Sequence, residues 1–360
     1  LLIGVLLLIF VPRFFYDRQP ADFRIDHSRL IILNKSGKEL WTYDTKLENL
    51  VNEQFYRDRF QVKKTIDIKV AGLDDSFRAQ PSLIIRDIDG CGKNEVLFAP
   101  QTTDYLKVGN LLCFNYRKKL LWQFRSGREM KFGQKIYPPA YAITGFLVDD
   151  LNNDGQNEIV VISHCRHESP TQVTILDIHG QLMGEYWNFG HFSDFGFADL
   201  NGDGIKEIIL GGQNNEYQQP VLVVLDSRSL SGGSPQSKRF QCEELPRGSE
   251  IYYVRLPLSE LELINNPGIS VKDISIYSDR QFLAELWLTA LIFNFNYDLD
   301  FPSITFSHGY ERAYKKALYE GKIKIPLDIE KLTLQLMKSI LYFDGATKTW
   351  VNHPAMSNPW

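Results

Sequence analysis

Residues 87–95 read DIDGCGKNE, residues 150–158 DLNNDGQNE and residues 199–207 DLNGDGIKE. Each copy has Asp first, Asp or Asn third, Gly sixth and Glu ninth. Apolar runs flank all three: LII and VLF around the first, FLV and IVVI around the second, FGFA and IILGG around the third. Each unit therefore reads as strand, tight acidic loop, strand. A second feature keeps step with the first. Turns are expected at Asn34 (ILNKSGKELW), Asn115 (CFNYRKKLLW), Asp177 (ILDIHGQLMG) and Asp226 (VLDSRSLSGG), because Asn and Asp bond their own backbone in turns. The loop-to-turn offset is 28 residues in the first copy (115−87), 27 in the second (177−150) and 27 in the third (226−199). Two features held at one offset define a repeating four-strand unit, the pattern of propeller blades.

Naming the strands of a unit A to D, the acidic loop joins A to B and the Asx turn joins C to D. Blades are expected at about 81–126, 142–188 and 194–243, with 29–44 matching the C–D half alone. The expected fold is all-β, a β-propeller of about five four-stranded blades. The C-terminal strands (249–256, 270–278, 284–299) are expected to supply a loop-free blade and to pair with 29–44. Residues 327–340 carry helical periodicity, predicting a short C-terminal helix.

Calcium takes six to eight oxygen ligands, and carboxylates at alternating loop positions point inward when the loop curls. The expected ligands are Asp150, Asn152, Asp154 and Glu158 in the second loop, and Asp199, Asn201, Asp203 and Glu207 in the third. In the first loop Asp87, Asp89 and Glu95 remain, but Cys91 holds the fifth position, where a soft thiol suits calcium poorly. An EF-hand would place Glu at the twelfth position between helices, and a dockerin would follow its loop with a helix. Glu at the ninth before a strand fits neither.

These motifs resemble FG-GAP (VCBS-type) repeats, the blades of integrin-like propellers. The resemblance covers residues 81–226. It implies a propeller stabilised by Ca2+, with roles in adhesion or ligand recognition. The GKELW and RKKLLW hairpins also resemble outer strands of quinoprotein-type propellers.

The chain opens on Leu1 and runs LLIGVLLLIFVP without a charge. That is shorter than the roughly 20 residues of a spanning helix. The reading is a truncated transmembrane or signal-anchor segment at 1–16, a linker at 17–28 and a propeller from 29 to 360. The chain is read as part of a longer protein. A net charge of −4 over 360 residues, with no basic block, points away from nucleic acid. Four cysteines without a CxxC pair exclude a zinc knuckle and a disulfide scaffold.

His164, Cys165 and His167 match no common zinc spacing and are read as loop residues. No GxSxG elbow is present, and the regular carboxylates are already accounted for by calcium, so the chain is not expected to be an enzyme. The expected function is a membrane-anchored, extracytoplasmic ligand-binding or sensory ectodomain for a protein or carbohydrate partner. The rival is a propeller hydrolase or lyase. Alternating strands place the A–B loops and C–D turns on one face. The other face is expected to form a polar-aromatic pocket near the axis, lined by at least three of His164, His191, Asn214, Asn215 and Tyr217. Trp41 and Trp122, equally placed after their turns, are expected to pack in the core or between blades.

Overall fold

The structure, a computed structural model, describes residues 17–70, 73–103, 109–165, 169–265, 268–287, 289–297, 299 and 302–354. The segment expected to anchor in a membrane, 1–16, lies outside these residues. Among the described residues no helix is long and apolar enough to cross a membrane.

The chain builds a series of antiparallel sheets in sequence order until a last hairpin turns back. The first holds β1 (Asp22–Asp26), β2 (Arg29–Leu33) and β3 (Glu39–Asp44). After helix α1 (Glu53–Arg57) and the hairpin β4 (Lys64–Val70) to β5 (Leu73–Ala79), the second holds β6 (Leu83–Arg86), β7 (Glu95–Phe98), β8 (Asn110–Phe114) and β9 (Leu120–Arg125). A small hairpin, β10 (Met130–Phe132) and β11 (Lys135–Tyr137), precedes the third sheet. That sheet holds β12 (Tyr141–Asp149), β13 (Glu158–Cys165), β14 (Thr171–Leu176) and β15 (Leu182–Asn188). The fourth holds β16 (Gly190–Ala198), β17 (Glu207–Asn214), β18 (Gln219–Leu225) and β19 (Glu250–Arg255). Helix α2 (Glu260–Asn265) leads to the fifth: β20 (Val271–Ser278), β21 (Gln281–Leu286), β22 (Leu291–Asn296) and β23 (Ser303–Phe306). Helices α3 (His308–Tyr319) and α4 (Ile329–Lys338) follow, and a last hairpin, β24 (Leu341–Asp344) and β25 (Thr349–Val351), extends the fourth sheet.

The sheets pack face to face in a row, and the two-residue period of the strands divides the side chains between neighbours. On β13, Ile159 and Val161 join a core shared with the second sheet, while Val160 and Ile162 join one shared with the fourth. On β18, Val221 and Val223 face the third sheet; Leu222 and Val224 join the core of the fifth. Strands buried on both faces read as the continuous apolar runs seen in the sequence.

The turns follow the expected chemistry. Asn34 Oδ1 accepts the Ser36 and Lys38 amides, Asn115 Oδ1 those of Arg117 and Lys119, and Asp177 Oδ1 those of His179 and Gln181. Adjacent blades are stitched by repeated contacts. Trp41 Nε1 donates to the Tyr116 carbonyl at 3.1 Å, and Trp122 Nε1 to that of Ile178 at 2.8 Å. On the acidic-loop face, Asn157 Nδ2 donates to Ile88 O and the Lys206 amide to Leu151 O, both 2.8 Å. Each time the eighth residue of one loop reaches the second residue of the loop before. Asn94, the eighth residue of the first loop, reaches Pro20 O instead, at 2.8 Å.

Two expectations are corrected. The strand paired with β18 in the fourth sheet is Glu250–Arg255, not a strand ending near 243, because the Ser/Gly/Pro-rich stretch after Asp226 runs beside β15 first. There the Trp187 amide donates to Gly232 O and the Ser234 amide to Trp187 O. Second, among the described residues the 29–44 hairpin pairs with β1, its sequence neighbour, and with no other strand, and the C-terminal hairpin docks on β19 through Val254 and Tyr342. The reason is local. The free edge of β1 is sealed by α1: Glu53 accepts the Ile25 amide at 3.1 Å, and the Arg57 guanidinium donates to Phe23 O and to Asp22. An edge capped by side chains needs no strand from the far end. No pairing among the described residues joins the fifth sheet to the first.

Candidate functional site

The three acidic loops are curled by their own side chains. In the third, Asp199 accepts the amides of Gly202, Asp203 and Gly204 at 2.7–3.1 Å, and Asn201 Oδ1 accepts that of Asp203 at 2.8 Å. In the second, Asp150 and Asn152 make the corresponding bonds to Asp154, and Asp150 also binds the Gly155 amide. Gly155 and Gly204 sit at φ +86°, where a side chain would be strained. The ninth-position Glu closes each loop from behind: Glu95, Glu158 and Glu207 accept the amides of Ile88, Leu151 and Leu200 at 2.8–3.1 Å. Burial pushes Glu95 and Glu207 up to about 7 and raises Glu158 as well.

Do these donors suit calcium? Two oxygens argue that they do. Glu207 Oε1 and Asp87 Oδ1 are buried and have no hydrogen-bond partner, which is costly unless something binds them. In the first loop, ligand atoms of Asp87, Asp89 and Cys91 lie within 4.8 Å of one another. The second and third loops show no such convergence of carboxylates. There Asp154 Oδ1 turns to the Gln156 amide, and Asp203 to the Ile205 amide and, at 3.2 Å, to Arg228 of the adjoining C–D turn. The Arg228 contact also shows that A–B loops and C–D turns share a face.

A cavity of about 670 Å3 is lined by strands of the third, fourth and fifth sheets and by the chain around α1 and β5. His164 and His191 line it, their ring centroids 6.2 Å apart. His164 Nε2 lies 3.1 Å from Phe192 O. Burial and the neighbouring His191 hold His164 down at about 3, so the ring is neutral. The other three residues expected here sit elsewhere. Asn214 is buried against Tyr253 and Gln236, donating to each at 2.8 Å. The Asn215 amide donates to Phe189 O. Tyr217 donates to Pro235 O and packs beside Trp350, with the Arg255 guanidinium 4.1 Å from its ring. The expected pocket thus gathers two of the five. Trp187 and Phe189 are core, packed with Phe132, Tyr141 and Phe240.

Sequence reasoning missed the residues that build the cavity. Asp194, fully buried, binds Lys63 at 2.9 Å, the Ile274 amide at 2.7 Å and the Gln80 side chain. Burial outweighs Lys63 and pushes Asp194 up to about 6. Lys272 pairs with Glu285 at 3.1 Å. The one signal was Asp194 itself, an acid inside the aromatic strand FSDFGFA. Gln80, Lys63 and Arg59 come from a stretch without the repeat.

No protein-family model matches the chain, and no curated protein matches it. Among solved structures it is similar to the Dos1 propeller (TM-score 0.38, 10% identity, 76% of this chain) and spans 63% of that chain's length. It is also similar to the rhamnogalacturonan lyase YesW (TM-score 0.34, 12% identity, 82% of this chain and 69% of that one). A third similar structure is BBS1N, solved in complex with ARL6DN (TM-score 0.29, 10% identity, 74% of each chain). These loose overlaps carry no inference about what the chain binds. Its own sheets, packed blade on blade in sequence order, define the propeller-like architecture.

Proposed function

We propose that this chain is a non-enzymatic, propeller-type binding module whose acidic loops hold Ca2+ and whose axial cavity receives the ligand. The observation that carries the binding reading is the state of His164. Its Nε2 faces a backbone carbonyl and its ring stays neutral, which takes His164, one of the two cavity imidazoles beside His191, out of acid–base work near neutrality. The calcium reading rests on the buried, unpartnered Glu207 Oε1 behind the third loop and Asp87 Oδ1 in the first. Asp199, Asn201, Asp203 and Glu207 would hold one ion, and Asp150, Asn152, Asp154 and Glu158 a second. The ions would lock the loops that join neighbouring blades. Millimolar external calcium fills weak loops that cytosolic levels leave empty, so the module belongs outside the cytoplasm, tethered by the apolar run at 1–12.

Thermal unfolding of the full chain in millimolar calcium and in chelator tests the metal part. Equal midpoints in the two conditions defeat it. Isothermal titration with the ligand described below tests the cavity.

A further inference from the structure

The cavity's polar groups are oriented, and the orientation selects a ligand. Gln80 is 6% exposed and lines the wall. Its Nε2 donates to Asp194 Oδ1. The opposite amide placement would set oxygen against carboxylate oxygen, so the amide is fixed. Its Oε1 is left buried, with no hydrogen-bond partner. His164 is fixed in the same sense. Its Nε2 must carry the hydrogen it donates to Phe192 O, so in the neutral ring Nδ1 is a lone-pair acceptor. Two positioned atoms, Gln80 Oε1 and His164 Nδ1, are therefore acceptors. They ask for donors on the ligand.

Charge narrows the choice. Lys63 is matched by Asp194 at 2.9 Å and Lys272 by Glu285 at 3.1 Å. Arg59 lies over the Phe55 ring, 3.8 Å from its centroid, and donates to Phe55 O. The remaining lining is neutral: Ser193 and Ser270, whose hydroxyls are 3.4 Å apart, Thr144, Gln101 and Gln213. Trp287 and Phe195 add flat apolar walls. An indole, amides and hydroxyls around fixed acceptors match a ring that shows hydroxyl donors at its edge and C–H groups on its face.

We infer that the axial cavity binds a neutral sugar, with ligand hydroxyls donating to Gln80 Oε1 and His164 Nδ1 and the sugar face lying on Trp287. The inference deepens the binding-module reading and rests on it. A volume of about 670 Å3 is within the usual range for small-ligand pockets.

The test is titration of the calcium-loaded full chain with neutral mono- and disaccharides (glucose, galactose, mannose, maltose, lactose). Glucuronate, galacturonate and inorganic phosphate are the anionic probes. Binding is read by calorimetry and Trp fluorescence. At least one neutral sugar is expected to bind, and Gln80→Leu and His164→Phe are each expected to weaken it about tenfold or more. His164→Phe keeps the ring volume, so it serves if Gln80→Leu disturbs Asp194. Trp287→Ala is expected to abolish the fluorescence response as well as the binding. If the anionic probes bind, with the same dependence on Gln80 and His164, and the neutral sugars do not, the ligand class is overturned while the binding module stands. If no probe binds, or binding is indifferent to all three substitutions, the sugar site falls, and with no probe bound the cavity reading falls with it.

Discussion

The Glu53 carboxylate accepts the Ile25 amide at 3.1 Å, and so a helix of five residues does for the first sheet what an inner strand does for the others. Arg57, one turn later and itself bonded to Glu53 at 3.0 Å, covers the Phe23 carbonyl. Removing either side chain leaves a strand edge exposed. Arg57→Ala is expected to cost about 1–3 kcal/mol, the usual effect of orphaning a charge-assisted bond. Hydrogen exchange should accelerate at Phe23 to Ile25 and leave β13 unchanged. Uniform acceleration across the chain would contradict the capping role.

Calcium is expected to raise the melting temperature, since a ligand held only by the folded state stabilises by mass action, about 2.7 kcal/mol at a hundredfold excess over Kd. Asp154→Ala and Asp203→Ala should each remove much of that gain. Cys91→Asp should raise affinity at the first loop, where it would stand beside Asp87 and Asp89. Calorimetric titration of the three variants measures each effect.

Without calcium, the buried loop glutamates give stability a definite pH sign. Glu95 and Glu207 sit near 7, above the ordinary 4.5. Between those values the folded state holds protons that the unfolded state has released. Their contribution therefore grows as pH falls through about 7 toward 4.5 and is lost on the alkaline side. His164, held near 3 against an ordinary 6.5, works in the opposite direction below 6.5. The clean readout is the difference between wild type and Glu207→Gln in chelator. Wild type should gain relative to the variant between pH 7.5 and 5.5. Calcium, which requires the carboxylates ionised, should cancel that gain. A pH-independent difference would remove Glu207 as a titrating group.

The Trp contacts between blades are expected to be worth about 1 kcal/mol each as hydrogen bonds. Trp122→Phe keeps the ring packing and loses the bond to Ile178 O, so urea unfolding should show a shift of that size. The corresponding position in the third sheet is Gly184, seven residues after Asp177, as Trp122 is after Asn115. A Cβ there would stand 2.6 Å from Leu230 O. Gly184→Ala should therefore destabilise more than Trp122→Phe.

Much of the blade series was legible because its cues are local. Asp199 and Gly204 shape a loop with bonds inside five residues, and Asp177 shapes a turn the same way. The two strand periods then follow from alternating apolar residues. What escaped was long-range. Nothing in the stretch after Asp226 announces that the partner strand of β18 waits until Glu250. Nothing local says that Gln80 will meet Asp194, 114 residues away. The pocket residues expected on loops failed for a related reason. Asn214 and Tyr217 have the right chemistry, but Tyr253, Gln236 and Trp350, distant in sequence, already occupy them. The histidines, also expected on loops, stand instead on β13 and β16, and they line the cavity from those strands.

The contact from the eighth residue of one acidic loop to the second of its predecessor runs in one direction only. Pro20 begins the series, and the loop-free fifth sheet has no acidic loop to continue it. Each blade carries one half of a joint at either side, like a link in a chain with two ends. A closed ring must keep its number of links, because inserting one changes the angle at every junction. Among the described residues these stitches do not close on themselves, so a unit can be gained or lost by duplication with only the terminal stitches remade.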